Sequence, residues 1–473
     1  MTISRRRFLG SAAAISLGFS VFRSTVVAAS PRRRADFGPL LPDPDNLLAL
    51  PEGFRYTIIS RRGDPMTDGF FVPARPDGMA TFAGPGGRTI IVRNHEVDSS
   101  SDPSMGAFGP GLELLDRLDA TRVYDAGTGG LPALGGTTTL VFDPATQSVE
   151  ATYLSLAGTL RNCAGGPTPW GSWITCEETV ERAGGALARD HGFCFDVPAS
   201  VTGLPARPVP LEAMGRFNHE AVAVDPASGV VYETEDDSAG LLYRFIPNVP
   251  GELARGGRLQ ALAARDARSL DTRNFGGRGI EPGIPMQVHW IDMDDVVAPD
   301  DDLRVRGFEA GAARFARGEG IWYGEGEVFF ACTNGGEARK GQIWRYRPSP
   351  YEGRAREAEA PGTLELFIEP NDGRLVENAD NLTVSPWGDL VVCEDGTGDD
   401  HLIGVTPAGE LYDLARNMSG NGELAGVCFS PDGSTLFANM QVEGLTLAIR
   451  GPWGGRDSGG ATARPGTSSY RGN

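Results

Sequence analysis

The sequence predicts an all-β chain, a β-propeller of about six blades with insertions between them. Three observations carry this. A β-branched run, a tight Asp/Ser-Pro turn and a second strand recur along the chain, around Asp143-Pro144, Asp225-Pro226, Ser385-Pro386 and Ser430-Pro431. Three copies place Gly229, Gly388 or Gly433 where the turn needs positive φ, and Pro pre-sets its first corner. Third strands follow in several copies, ending at Phe245 and Tyr346. Hairpins repeated at intervals of tens of residues mark blades that pack on their neighbours. A β-sandwich is the rival, but the chain of 473 residues is long for one.

Taken in order, residues 1–29 read as a twin-arginine export leader. Ser4-Arg5-Arg6-Arg7-Phe8-Leu9 precedes a mild apolar run from Gly10 to Phe22, and Val27-Ala28-Ala29 suits cleavage. That run falls short of the ~20 apolar residues a membrane span needs, and no stable membrane anchor is expected. The expected location is therefore periplasmic or secreted, with the twin-arginine translocation machinery as a partner during export. The propeller is expected over residues 36–453, followed by a flexible Gly/Ser/Arg-rich tail over 454–473. Within it, the Ala/Arg-rich stretch from Leu259 to Arg278 is expected to add a short helix.

The net charge of −19 falls to −23 without the leader's four arginines. Such a surface repels nucleic acid and attracts cations. It reads either as solubility outside the cell or as an excess of carboxylates that hold metal. The six cysteines form no Cys-x-x-Cys pair, which leaves zinc ribbons and c-type haem without support. Buried free thiols are expected for most of them.

Candidate chemistry lies in four places. Asn94-His95-Glu96 and Asn218-His219-Glu220 repeat one tripeptide at blade starts, offering carboxylate and amide oxygens for hard ions such as calcium or iron(III). A solvated turn is the plain alternative for each. Next, Cys163 precedes two glycines and a Pro-rich turn, with Glu177 or Glu178 at the end of the following strand. It reads as a metal thiolate or as a buried structural thiol. Third, Arg317 and Glu319 stand two residues apart on one strand face, either as a clamp for metal and phosphate or as an ordinary ion pair. Finally, Asp380 and Asn381 with Glu394 and Asp395 flank one hairpin, either as oxygens toward calcium's usual six to eight or as ordinary acidic turns. No Gly-x-Ser-x-Gly elbow, P-loop or HExxH occurs.

These clusters, in this order, resemble the PhoX family of alkaline phosphatases. The matching pieces are the leader, Arg93 to Glu96, Asn162 to Gly166 with Thr175 to Glu178, and Gly215 to Glu220. They continue with Glu319 to Tyr323, Gln342 to Tyr346, Asp380 to Pro386 and Glu423 to Val427. The resemblance implies an exported propeller that hydrolyses small phosphate monoesters with an iron(III) and calcium cluster, the iron pair bridged by oxide. It implies Cys163, Glu220 and Glu319 as iron ligands. Glu96, Glu178, Asp380, Asn381 and Glu394 are further metal ligands, more for calcium, and Arg317 is the cation that holds phosphate beside Glu319. The chain is compact for that family. The alternative is a calcium-stabilised propeller that acts as another hydrolase, such as a lactonase, or as a binding module.

Overall fold

Each hairpin predicted from a Pro-containing turn is present. In the computed structural model, which describes residues 33–34 and 37–453 apart from 204, 278 and 421, the paired strands are Gly135–Asp143 with Ser148–Thr159, His219–Val224 with Val231–Glu235, Ala379–Val384 with Leu390–Glu394, and Leu424–Phe429 with Leu436–Met440. The turns close by the expected chemistry. Asp225 Oδ1 accepts the Ala227 N–H at 2.9 Å, and Gly229, Gly388 and Gly433 all take positive φ. The leader over 1–29 and the tail over 454–473 lie outside the described residues.

The sheets are propeller-like, but among the described residues the separate sheets number five, where about six blades were expected. One begins with Pro76–Ala83 and ends with Ser148–Thr159. A second has three strands, Asn162–Pro167, Ser172–Glu177 and Cys194–Pro198. Another, built on Ala379–Val384 to Leu411–Asn417, is extended by short N-terminal strands. The nine-stranded sheet accounts for the difference. Its strand Met286–Asp292 pairs with both Gly257–Ala264 and Thr363–Ile368, which fuses two meanders into one sheet. The first and last strands of that sheet, His219–Val224 and Gly318–Gly324, come round to lie against each other.

In the remaining sheet, Leu424–Phe429, Leu436–Met440 and Leu445–Arg450 take their fourth strand, Arg55–Arg61, from the other end of the chain. This pairing ties the ends of the propeller together. Strands Pro76–Ala83, Asn162–Pro167, His219–Val224, Gly318–Gly324, Ala379–Val384 and Leu424–Phe429 pack against one another in cyclic order and surround a central axis.

The helix expected within Leu259 to Arg278 is not formed. Gly257–Ala264 is a strand, with Leu259 opposite Phe245 and Ala261 opposite Tyr243. Its alanines are small enough to be buried on both faces, and that burial overrides their helix preference. Among the described residues the one α-helix is α1 (Leu303–Ala310). Between sheets the core is aromatic: Trp173 and Trp344 are fully buried, and truncating either to Ala is expected to cost about 3–5 kcal/mol.

Candidate metal centre

Five of the strands around the axis carry a metal-competent side chain at their second residue: Asp77, Cys163, Glu220, Glu319 and Asp380. The pairing register shifts at this point in each, between Pro76 and Met79, His219 and Val222, Gly318 and Ile321, and Ala379 and Leu382, and opposite Cys163 between Thr175 and Glu177. A bulge re-aims one side chain out of the strand's alternation, and here the five converge. The next residue is small or compact: Gly78, Ala164, Ala221, Gly320, Asn381. A Cβ on Gly78 would lie 2.5 Å from Ala164 Cα, and one on Gly320 would lie 2.7 Å from Asn381 Cα. The ring therefore closes too tightly for larger residues. Below it, Trp322 packs against three hydrophobic clusters and lines a small cavity with Met79 and Ile321.

Entry into the strands is also shared. Arg75, Arg161, Arg317 and Asn378 each immediately precede one of them, and all four have left-handed φ between 43° and 56°. Non-glycine residues adopt that region rarely, and such strain gathers at functional sites. Asparagines hold the bulges. Asn94 Nδ2 donates to the carbonyls of Cys163 (3.1 Å) and Ala164 (2.7 Å), and Asn439 Nδ2 donates to that of Asp77 at 2.5 Å.

Two donor clusters result. Ligand atoms of Glu96, Cys163 and Glu178 lie within 4.8 Å of one another, as do those of Glu220, Glu319 and Asp380. Asp77 connects with the first: its Oδ2 is 3.8 Å from Cys163 Sγ, and Gln441 Nε2 donates to Asp77 at 2.7 Å and Glu96 at 3.0 Å. Glu423, just before strand Leu424–Phe429, interacts with Asp380.

Side-chain cations do not balance this charge. Arg161 pairs with Glu96 at 3.0 Å and with Glu178. Arg317 grips Asp236 through Nε and Nη2, both at 2.7 Å, and reaches Glu319 at 3.0 Å. Burial, then mutual repulsion, pushes the carboxyls of Asp77, Glu220 and Glu423 well above their usual range, and Asp380 to about 7. Burial raises the Cys163 thiol too, with Asp77 and Glu220 adding to it. Both Glu220 carboxylate oxygens are buried with no hydrogen-bond partner. Carboxylates plus one thiol, with an orphaned carboxylate at the centre, fit multivalent cations.

Of the predicted residues, Glu96, Cys163, Glu178, Glu220, Glu319 and Asp380 come together, with Arg317 alongside. Glu177 instead bonds His191 at 2.6 Å and the backbone N–H of Leu160 at 2.9 Å. Asn381 Oδ1 accepts the Gly426 N–H at 2.7 Å. The Glu394 carboxylate accepts the N–H groups of Glu377 (2.9 Å) and His401 (3.0 Å). The two Asn-His-Glu tripeptides are not equivalent, since His95 ends the second strand of its sheet whereas His219 begins an inner one. Sequence reasoning missed Asp77, Glu423, Arg161, Asp236 and Gln441. For Asp77 a signal existed: an acid followed by a small residue heads its strand, as in Glu220-Ala221 and Glu319-Gly320.

The family model of the alkaline phosphatase PhoX matches residues 35–145 and 134–444. Among solved structures, Pseudomonas fluorescens PhoX in complex with vanadate, a transition state analogue, is similar with a TM-score of 0.62 at 18% identity, over 89% of this chain and 98% of that one. A gluconolactonase from Xanthomonas campestris is similar with a TM-score of 0.40 at 13% identity, over 89% and 99% of the two chains. No curated protein matches in sequence. The likeness to the Pseudomonas protein is one of fold. The family match spans most of the sequence, and on it the chain belongs to the PhoX family of alkaline phosphatases.

Proposed function

We propose that the protein is an extracytoplasmic phosphatase that hydrolyses small phosphate monoesters at a centre of iron(III) and calcium. The observation that carries this is the convergence of five strand heads on one axis, with the Glu220 carboxylate buried and unpartnered among them. In this reading Cys163, Glu220 and Glu319 hold iron, as the resemblance to the family implies. Glu96, Glu178 and Asp380, with Asp77 and Glu423, supply oxygens for calcium. Asn381 and Glu394, expected as ligands, are engaged by backbone amides. They orient Asp380 and the loop before His401. When bound, the cations neutralise the phosphate dianion and the charge that develops as the ester bond breaks.

The chain's own residues do the rest. Arg317, its side chain 38% exposed, presents a guanidinium fixed by Asp236, and a fork of that kind matches phosphate oxygens. Arg161 offsets part of the burial that raises the Glu96 and Glu178 carboxyls, and it holds the two side chains beside Cys163. Trp322 and the small residues beneath the ring line a small cavity on the other side of the donors. The propeller over residues 36–453 is the catalytic unit. Export rests on the Arg5-Arg6-Arg7 leader, whose route carries folded proteins and would allow the metals to be loaded first. Among the described residues no helix is long and apolar enough to cross a membrane.

The test is elemental analysis of the purified protein beside a p-nitrophenyl phosphate assay at alkaline pH. Iron and calcium together with turnover are expected. Calcium without iron and no turnover would overturn the proposal.

A further inference from the structure

Away from the axis, a second group of donors lies wholly inside the protein. Cys194 begins the third strand of the three-stranded sheet, and His219 and Glu233 lie on the first two strands of the nine-stranded sheet. All three are fully buried, and their ligand atoms lie within 4.8 Å of one another. Cys194 Sγ is 3.3 Å from His219 Nδ1, and that nitrogen is 3.4 Å from Glu233 Oε2. A further thiol is near: Cys176 Sγ stands 3.6 Å from Cys194 Sγ on the neighbouring strand, outside the group of three within 4.8 Å. His219 and Glu220 are adjacent on one strand but belong to different donor groups.

Three features point to a ligand. Both Glu233 carboxylate oxygens are buried with no hydrogen-bond partner, a costly state for a carboxylate in an apolar surround. That surround is apolar indeed, with Phe217 stacked on the His219 ring at 3.6 Å and Tyr243 on Phe217 at 4.6 Å. His219 Nε2 is 3.1 Å from the Gly215 carbonyl, and donating there leaves the Nδ1 lone pair facing Cys194 and Glu233. A histidine that binds metal through one nitrogen is usually fixed in this way through the other. The spacings from His219 Nδ1 to Cys194 and Glu233, 3.3 and 3.4 Å, and between the two thiols, 3.6 Å, also agree with edges of a tetrahedral site. Bond lengths of about 2.3 Å to sulfur and about 2.0 Å to nitrogen or oxygen give tetrahedron edges of roughly 3.3–3.8 Å.

We propose that Cys194, His219 and Glu233 form a zinc site that pins the three-stranded sheet to the nine-stranded one, with the neighbouring Cys176 thiol drawn in as fourth ligand when the ion binds. Mixed sulfur, nitrogen and oxygen donors in a closed pocket select zinc over the harder ions. The site is structural, since nothing in so enclosed a place can reach substrate. It stands independently of the phosphatase reading.

The test uses the purified full-length protein, expressed with zinc in the medium. Elemental analysis is expected to find about one zinc per chain. Glu233→Gln keeps side-chain size and is expected to lower zinc at least tenfold, as is Cys194→Ser, while Glu220→Gln keeps it. X-ray absorption at the zinc edge of the wild-type protein provides a readout that no folding defect can affect, and mixed sulfur and nitrogen/oxygen ligation is expected. Wild-type protein without zinc, an absorption spectrum without sulfur ligation, or a Cys176–Cys194 disulfide found by peptide mapping would each overturn the proposal.

Discussion

Glu220 carries the electrostatic argument at the residue scale. An ionised carboxylate with neither oxygen hydrogen-bonded is untenable in a dry interior, so it must be protonated or bound to a cation. Cys163 stands in the same position on the neighbouring strand, and a thiol raised by burial becomes a thiolate when a metal binds it. Cys163→Ala is therefore expected to lose most of its iron while remaining folded. Full iron occupancy in that variant, by elemental analysis, would remove Cys163 from the centre. Arg317 calls for a subtler change. Lysine keeps its charge but loses the fork that Asp236 holds. Arg317→Lys should lower kcat/KM for p-nitrophenyl phosphate by about tenfold or more, with metal content unchanged. An unaltered kcat/KM would mean that Arg317 is no more than an ion pair.

At the scale of elements, the site is a set of bulged strand heads. Each bulge leaves backbone groups out of the ladder, and Asn94, Asn381 and Asn439 bond to them. The small residue after each donor lets neighbouring strands approach. Gly78→Val, whose Cβ would strike Ala164 Cα at 2.5 Å, should destabilise the protein by about 1–3 kcal/mol and lower metal content with it. Denaturant unfolding would measure the first effect, and a wild-type midpoint would contradict it.

This is also the scale at which the sequence was most and least legible. Turns such as Asp225 to Gly229 are local, and their Pro and Gly positions announce the hairpins directly. Cys163, Glu220 and Glu319 were singled out by a Gly- and Pro-rich stretch, a repeated Asn-His-Glu tripeptide and an Arg-x-Glu pair respectively. Asp77 and Glu423 were not singled out as ligands, because a lone acid at the start of a strand looks like any solvated turn. What brings them in is the closing of the ring, a contact between residues hundreds of positions apart. The fusion of two meanders through Met286–Asp292 was hidden for the same reason, as was the burial of Gly257–Ala264, whose alanines suggested helix.

For the whole molecule, strand Arg55–Arg61 closes the ring of sheets, and the acidic channel makes stability depend on metal and on pH. The raised carboxyls mean that the metal-free folded chain holds protons the unfolded chain gives up. Stability is then greatest below the unfolded carboxylate range near 4, and it is lost as pH rises through about 7, where Asp380 ionises. Chelated protein should unfold at a temperature several degrees lower at pH 8 than at pH 5, whereas metallated protein should not show this fall. A flat pH profile after chelation would show that the carboxylates do not repel one another as described.

The most direct measurement is p-nitrophenyl phosphate hydrolysis at alkaline pH, followed through chelation and restoration of iron and calcium. Steady turnover is predicted for the metallated protein, with a loss of at least a hundredfold on chelation and recovery when both metals return. No turnover by folded protein carrying both metals would contradict the account.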